Sequence, residues 1–265
     1  MLEEIQSYYA QSKSGLSYID NRADGEAYIF LHGISSGAKS WVKQFLSIGS
    51  TCRLIAWDAP GYGDSRTLST STPNALSYAE QLEGLVEELG LSIPFTLVGH
   101  SLGALIACGY ASKYGDRIKR LVLVNPAQGY AFSNDEKKKS VYQMRPQLLQ
   151  RLGNAGMAEE RGPNLLAQKT VENMTVVRAV TNGITLAGLD GSSYLLAYDS
   201  IERYLPLIDV SIELFYGEED GITPPQDMFA LKEKYPFVEL TAIPEAGHLA
   251  YLDEPEFFNS QLFKA

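Results

Sequence analysis

The sequence predicts an α/β fold built on a parallel sheet, and three observations lead there. Short apolar, β-branched runs alternate with helical stretches of ten residues or more, the pattern of βαβ units with right-handed crossovers. One such run enters Gly99-His100-Ser101-Leu102-Gly103, a G-x-S-x-G motif placed between an apolar strand and a small-residue helix. The alternation breaks once, at about Gln128, and resumes at about Pro206. At 265 residues the chain suits one domain with room for an insertion and a large core.

Taken in order, residues 6–21 read as a strand pair turning at Ser14-Gly15. Residues 27–31 (Ala-Tyr-Ile-Phe-Leu) are a buried strand that ends at His32-Gly33. A helix is expected over 37–49, with Trp41, Phe45 and Leu46 on one face. The next strand, 53–57, runs into Asp58-Ala-Pro-Gly-Tyr-Gly-Asp-Ser65, and the Ser/Thr-rich residues 66–72 follow as a surface loop. Pro73 near its start and Gly90 as its stop bound a helix over 73–90. Residues 94–99 form the strand before Ser101, residues 102–111 the helix after it, and 120–124 another strand, ending at Asn125-Pro126. From 128 to 206 the pattern is helical and strand-poor, with Met144, Met157 and Met174 among its Leu and Tyr residues. A strand over 212–216, a helix over 225–235, a strand over 238–243 and a terminal helix near 255–263 complete the chain. The expected division is a core of 1–127 and 207–265, with 128–206 as a helical cap laid over the sheet.

Composition narrows the function. With 45% hydrophobic and 20% charged residues, the chain reads as a soluble globular protein. A net charge of −10 argues against nucleic acid and anionic membrane surfaces, since both attract a basic face. The start, Met1-Leu-Glu-Glu-Ile, lacks the basic and apolar regions of a signal peptide, and no apolar run is long enough to span a bilayer. Cys52 and Cys108 are expected as free thiols in a reducing cytosol, neither in a nucleophile-like turn. A cytoplasmic protein acting on a small molecule is the expectation.

Acyl transfer needs a nucleophile, a base for its proton, an acid to orient the base, and donors for the oxyanion. Ser101 is the candidate nucleophile, because a strand-to-helix turn crowded by glycines exposes its hydroxyl. His248, after a strand and Gly247, lies on a loop at the carboxyl edge of the sheet, where open α/β sheets place their sites. It is the candidate base; His100 sits beside the nucleophile in poor orientation, and His32 belongs to a strand-ending loop and is read as structural. The acid should lie between the last strands: Asp220 fits best, with Glu218 and Glu219 nearer the strand end as the alternatives. The N–H of Leu102, at the positive end of its helix, and the N–H of Ile34 are the candidate oxyanion donors. The scheme calls on no metal and no cofactor.

These segments together resemble the α/β-hydrolase superfamily over essentially the full chain. The resemblance rests on His32-Gly33, residues 58–65, the turn at Ser101, Gly217-Glu-Glu-Asp220 and Gly247-His248, in the chain order Ser, Asp, His. It implies an eight-stranded, mostly parallel sheet with helices on both faces and a helical cap inserted after strand six. Within the superfamily, Ser101 excludes enzymes that need an aspartate nucleophile for carbon–halogen bonds or epoxides. The lipase-type His-Gly-Gly-Gly loop is absent, and His32-Gly33-Ile34 looks like that of small and medium-chain ester hydrolases. Carbon–carbon hydrolases usually read His-Gly-x-Gly-Pro-Gly, which Ile34-Ser-Ser-Gly37 does not match. In some relatives the acid follows strand six; here Asn125 stands there. The expected function is therefore cleavage of small or medium-size carboxylic esters by Ser101, His248 and Asp220. An enol-lactonase, a carbon–carbon hydrolase, or a small-molecule receptor that keeps the triad are the alternatives. The substrate itself and the oligomeric state are not written in the sequence.

Overall fold

Eight strands form a single sheet in the computed structural model, which describes residues 1–48, 51–91 and 94–264. They are Tyr9–Gln11 (β1), Ser17–Asp20 (β2), Ala27–Leu31 (β3), Arg53–Trp57 (β4), Phe95–His100 (β5), Ile118–Val124 (β6), Ile212–Gly217 (β7) and Val238–Ile243 (β8). Their order across the sheet is β1-β2-β4-β3-β5-β6-β7-β8. The β1–β2 and β2–β4 pairs are antiparallel, and every pair from β4 to β8 is parallel. Helices cover both faces, so a central strand must be apolar on both sides. β5 meets that demand: all six of its residues are buried.

The helices are Val42–Ile48 (α1), Ala75–Glu88 (α2), Leu102–Tyr114 (α3), Asp135–Arg161 (α4), Val171–Thr181 (α5), Leu186–Tyr198 (α6), Pro225–Lys234 (α7), Ala250–Asp253 (α8) and Pro255–Leu262 (α9). α2 starts later than Pro73 because Asn74 caps it, its side chain accepting from Ser77 N–H at 3.0 Å. Gly90, at φ +63°, ends that region in the left-handed conformation favoured by glycine. Around Trp41 the chain opens with a 3-10 turn, Ala38–Trp41, before α1. Trp41 and Phe45 are buried there, but Leu46 is 39% exposed. One residue beyond Phe45 the helix has turned by about 100°, which takes Leu46 off the buried face. The expected end of this helix, residue 49, lies outside the described residues. The four-residue α8 carries no periodicity that sequence reading could detect.

α3 lies directly on the sheet. A Cβ at Gly103 would collide with the carbonyl oxygens of Leu31 and His32, so only glycine permits this approach. The inserted helices α4, α5 and α6 follow β6, as the pattern break indicates. They do not build a core apart. Leu148, Leu189 and Leu195 join the apolar cluster that contains Leu105 and Tyr78, whereas Val176, Val177 and Val180 join the one around Trp41 and Tyr251. Within α4 the chain turns at Gly153 (φ +65°), and Asn154 Nδ2 then donates to the carbonyls of Thr181 at 2.8 Å and Ile184 at 2.9 Å. Met157 and Met174 are buried, while Met144 is exposed. Cys52 and Cys108 are both free thiols. Among the described residues no helix is long and apolar enough to cross a membrane.

Two glycines should answer substitution with opposite sign. Gly103→Ala should lower unfolding free energy by about 1–3 kcal/mol in urea titrations, because its Cβ has no room. Gly84→Ala, inside α2 with nothing within 4 Å of the new Cβ, should raise it by about 0.5–1 kcal/mol. A neutral Gly103→Ala would show that α3 does not need this contact distance.

Candidate active site

The site is assembled where β5 ends. Ser101 has φ 52° and ψ −114°, a strained conformation for a residue with a side chain. Three bonds fix it: its N–H donates to Val124 O at 2.9 Å, while its carbonyl accepts from Ala104 N and Ala127 N, each at 3.1 Å. Gly33 makes the second close approach, since a Cβ there would crowd the Ser101 Cβ and His100 Nδ1. The following residue, Ile34, makes no hydrogen bond through its N–H to any described residue. Leu102 is the first residue of α3, where an N–H has no acceptor within the helix.

Loops after β7 and β8 bring two further groups together. His248 Nδ1 and Asp220 Oδ2 are 2.8 Å apart, and both residues are buried. The carboxylate accepts, so Nδ1 carries the proton and Nε2 is left as the basic nitrogen. Asp220 Oδ2 also accepts from Asn125 Nδ2 at 2.6 Å and Thr223 Oγ1 at 2.7 Å. Its Oδ1 accepts from the N–H groups of Ile222 at 2.7 Å and Thr223 at 3.1 Å. Burial works to raise this carboxyl, but the bonds from His248, Thr223 and Ile222 outweigh it and hold the group down at about 2. Glu218 and Glu219 are exposed to solvent instead. Asn125, at φ 44° and fully buried, contributes as a donor to the neighbouring loop, a role that its position after β6 alone did not suggest.

The remaining histidines hold backbone. His100 is kept neutral by burial and by the nearby His248, and its Nε2–H donates to the carbonyl of His248 at 2.9 Å. His32 Nε2 accepts from Ala59 N–H at 3.0 Å, which puts the proton on Nδ1, 2.8 Å from the Gly33 carbonyl oxygen. Asp253 is a further structural anchor. Its carboxylate accepts from Gly247 N at 2.8 Å and from Ala167 N and Gln168 N, both at 3.0 Å. The loop bearing His248 is thereby tied to the inserted segment, and Leu249 N–H adds a bond to Leu165 O at 3.0 Å. Nothing in the local pattern around Asp253 distinguishes it from a surface acid.

Ser101 and His248 face one narrow cavity, with room for about 40 Å³ of water-sized occupant centres. Ile34 lines it from the core, Met157, Val177 and Val180 from the inserted helices, and Leu165 from the turn between α4 and α5. Two basic side chains of α4, Arg145 and Arg161, also reach it. Periodicity gave no sign of them, because an arginine on a cap helix reads as solvated. Among the described residues no cluster of His, Cys, Asp and Glu could hold a metal ion. A polarised imidazole, a hydroxyl on a strained turn and two adjacent N–H groups are the parts that acyl transfer uses.

Residues 28–261 match the sequence model of the alpha/beta hydrolase family, and the chain belongs to that family. A 2-hydroxy-6-oxononadienedioate/2-hydroxy-6-oxononatrienedioate hydrolase of Comamonas testosteroni is 32% identical, over 43% of each chain. The chain thus spans less than half of that relative. A 2-hydroxy-6-oxo-6-phenylhexa-2,4-dienoate hydrolase of Burkholderia cepacia is 24% identical over 94% of this chain and 91% of its own. In fold, the chain is similar to a thermophilic esterase from Thermogutta terrifontis, with a TM-score of 0.81 at 24% identity over 96% and 94% of the two chains. An enol-lactonase from Burkholderia xenovorans LB400 superposes with a TM-score of 0.77 at 16% identity, over 96% and 97%.

Asp220 ties stability to pH. Its folded value of about 2 lies below the ordinary 3.8, so its ionised form stabilises the fold fully above about pH 4 and loses that contribution as pH falls towards 2. The stability gap between the wild type and Asp220→Asn, read from urea midpoints, should therefore narrow from about pH 5 downwards. A gap that stays constant or widens would mean that the carboxylate is not held by these donors.

Proposed function

We propose that this α/β hydrolase cleaves small or medium-size carboxylic esters through an acyl-enzyme intermediate. The observation that carries the reading is the 2.8 Å contact of Asp220 with His248 Nδ1, on a histidine that faces the same cavity as Ser101. In this reading His248 Nε2 takes the Ser101 proton as Oγ attacks the ester carbonyl. The N–H groups of Ile34 and Leu102 then stabilise the oxyanion, with the first turn of α3 adding its dipole. The imidazolium returns its proton to the leaving alcohol, and water, activated by the same nitrogen, releases the acid. Asp220 stays ionised throughout, holding the ring and stabilising its cation. The inserted helices supply the apolar wall of the pocket and exclude bulk water, and no metal or cofactor enters the scheme.

A second reading, hydrolysis of a carbon–carbon bond by the same groups, is favoured by the names of the Comamonas testosteroni and Burkholderia cepacia relatives. Against it stands the loop Ile34-Ser-Ser-Gly37. A panel of p-nitrophenyl esters, enol-lactones and vinylogous diketones separates the two, the ester reading requiring sustained turnover of the first.

Ser101→Ala should leave the fold intact and reduce ester turnover by roughly 10³-fold or more. A serine-directed sulfonyl fluoride should add one mass equivalent to the Ser101 peptide. Near-normal activity of Ser101→Ala would remove the nucleophile from the scheme. Asp220→Asn should cripple turnover, whereas Glu218→Gln and Glu219→Gln should cost about threefold at most, as surface charges do. Equal losses at all three positions would point to general electrostatics in place of an oriented imidazole.

A further inference from the structure

Arg145 stands buried in the cavity without a counter-charge, and the half-buried Arg161 reaches the same space from its edge. Besides these arginines and Thr181, whose hydroxyl donates to the Val177 carbonyl, the rest of the inserted segment's lining beside Ser101 and His248 is apolar or glycine, and no Asp or Glu lines the cavity. Arg145 is only 9% exposed, its Nε is buried without a hydrogen-bond partner, and neither it nor Arg161 forms an ion pair with a described residue. Glu160 lies beside Arg161 in an open groove and acts on it through space, while pairing with Arg151 at 3.5 Å; no such acid stands beside Arg145, and Asp227, on the far side of Ser101, is exposed. The turn at Gly153 lets both halves of α4 send a guanidinium into the same space. Arg145 also lines the adjoining cavity, together with Ser101, Ile34 and Ile222, so its side chain stands where the two spaces meet at the serine.

A buried, unpaired charge is expensive, and two like charges in one cavity add their repulsion to that cost. The strain is visible in Arg145: burial and the nearby Arg161 lower its guanidinium to about 10, still cationic at neutral pH. A chain with ten surplus negative charges has ample acids to neutralise Arg145, yet none lines this cavity. The missing partner is therefore supplied from outside.

We infer that Arg145 and Arg161 form a carboxylate site, so that the substrate is an ester carrying a free carboxylate apart from its scissile carbonyl. The inference rests on the hydrolase reading for the second half of that statement only. The guanidinium fork takes a planar carboxylate through two parallel N–H bonds. Met157, Val177 and Val180 suit the carbon chain between the two ends of such a molecule, and an apolar chain of this kind is what a bare phosphate lacks.

Binding tests the site without requiring turnover. Calorimetry on Ser101→Ala should show monomethyl adipate binding at least tenfold tighter than dimethyl adipate or inorganic phosphate. Arg145→Gln and Arg161→Gln, each made in the Ser101→Ala protein, should erase that preference, and Arg145→Lys should restore part of it. In the otherwise intact enzyme, the ratio of kcat/KM for a p-nitrophenyl adipate monoester over p-nitrophenyl hexanoate should exceed one and fall about tenfold or more in either glutamine variant. Equal binding of monoester and diester, or tighter binding of phosphate, would overturn the inference, and the wild-type comparison stands even if a variant fails to fold. Carboxylate preference in binding without hydrolysis of either ester would keep the anion site and remove the hydrolase reading instead.

Discussion

The turn at Ser101 is the constraint on which the rest of the site depends. A side chain held at φ 52° between a buried strand and a helix survives only if its surroundings fix it from several directions. Gly33 and Gly103 remove the side chains that would stand in the way, and the carbonyl of Val124 takes the serine N–H. Because β3, β5, β6, β7 and β8 run parallel and adjacent, their following loops open at one edge. The strained turn, the Asp220 loop and the His248 loop therefore meet without any long-range reach. One local conformational cost thus sets the position of every other group.

The carboxylate of Asp220 shows how the sheet serves electrostatics. It collects donors from three places: His248, the end of β6 through Asn125, and its own loop through Ile222 and Thr223. A buried acid with that many donors is ionised and immobile, the two properties needed to fix an imidazole tautomer. Asn125 and Asp220 divide the work at two adjacent strand ends, one donating and the other accepting. His100, though next to the serine in sequence, acts on the backbone of the His248 loop.

Much of this was legible in the residues. The strand–helix alternation gave the sheet, because β-branched runs and ten-residue amphipathic stretches bury surface in different periods. Glycine spacing gave the turn at Ser101, and chain order gave the three residues that the fold brings to one edge. Other features were illegible for equally physical reasons. Leu46 leaves the buried face because it follows Phe45 by one residue within α1, a rotation of about 100° that an apolar side chain alone does not reveal. Asp253 and Arg145 are charged residues whose burial depends on the path of a distant segment, and local polarity points the wrong way for both; Arg161 likewise reaches the cavity only through the turn of its helix. The dual role of the inserted helices, which fill both apolar clusters, likewise depends on tertiary placement that no window of sequence contains.

Asp253 joins two structures that would otherwise be independent. Its two oxygens take N–H groups from the segment at 167–168 and from Gly247, directly before His248. Burial raises this carboxyl while those N–H groups lower it, so losing either partner would leave an acid that water cannot reach. The positions of residues 165–168 and of the loop bearing His248 are for that reason set together. Leu165 and His248 both line the cavity, so whatever occupies it touches the two sides of this joint at once. The two segments cannot part without leaving a buried carboxylate short of donors.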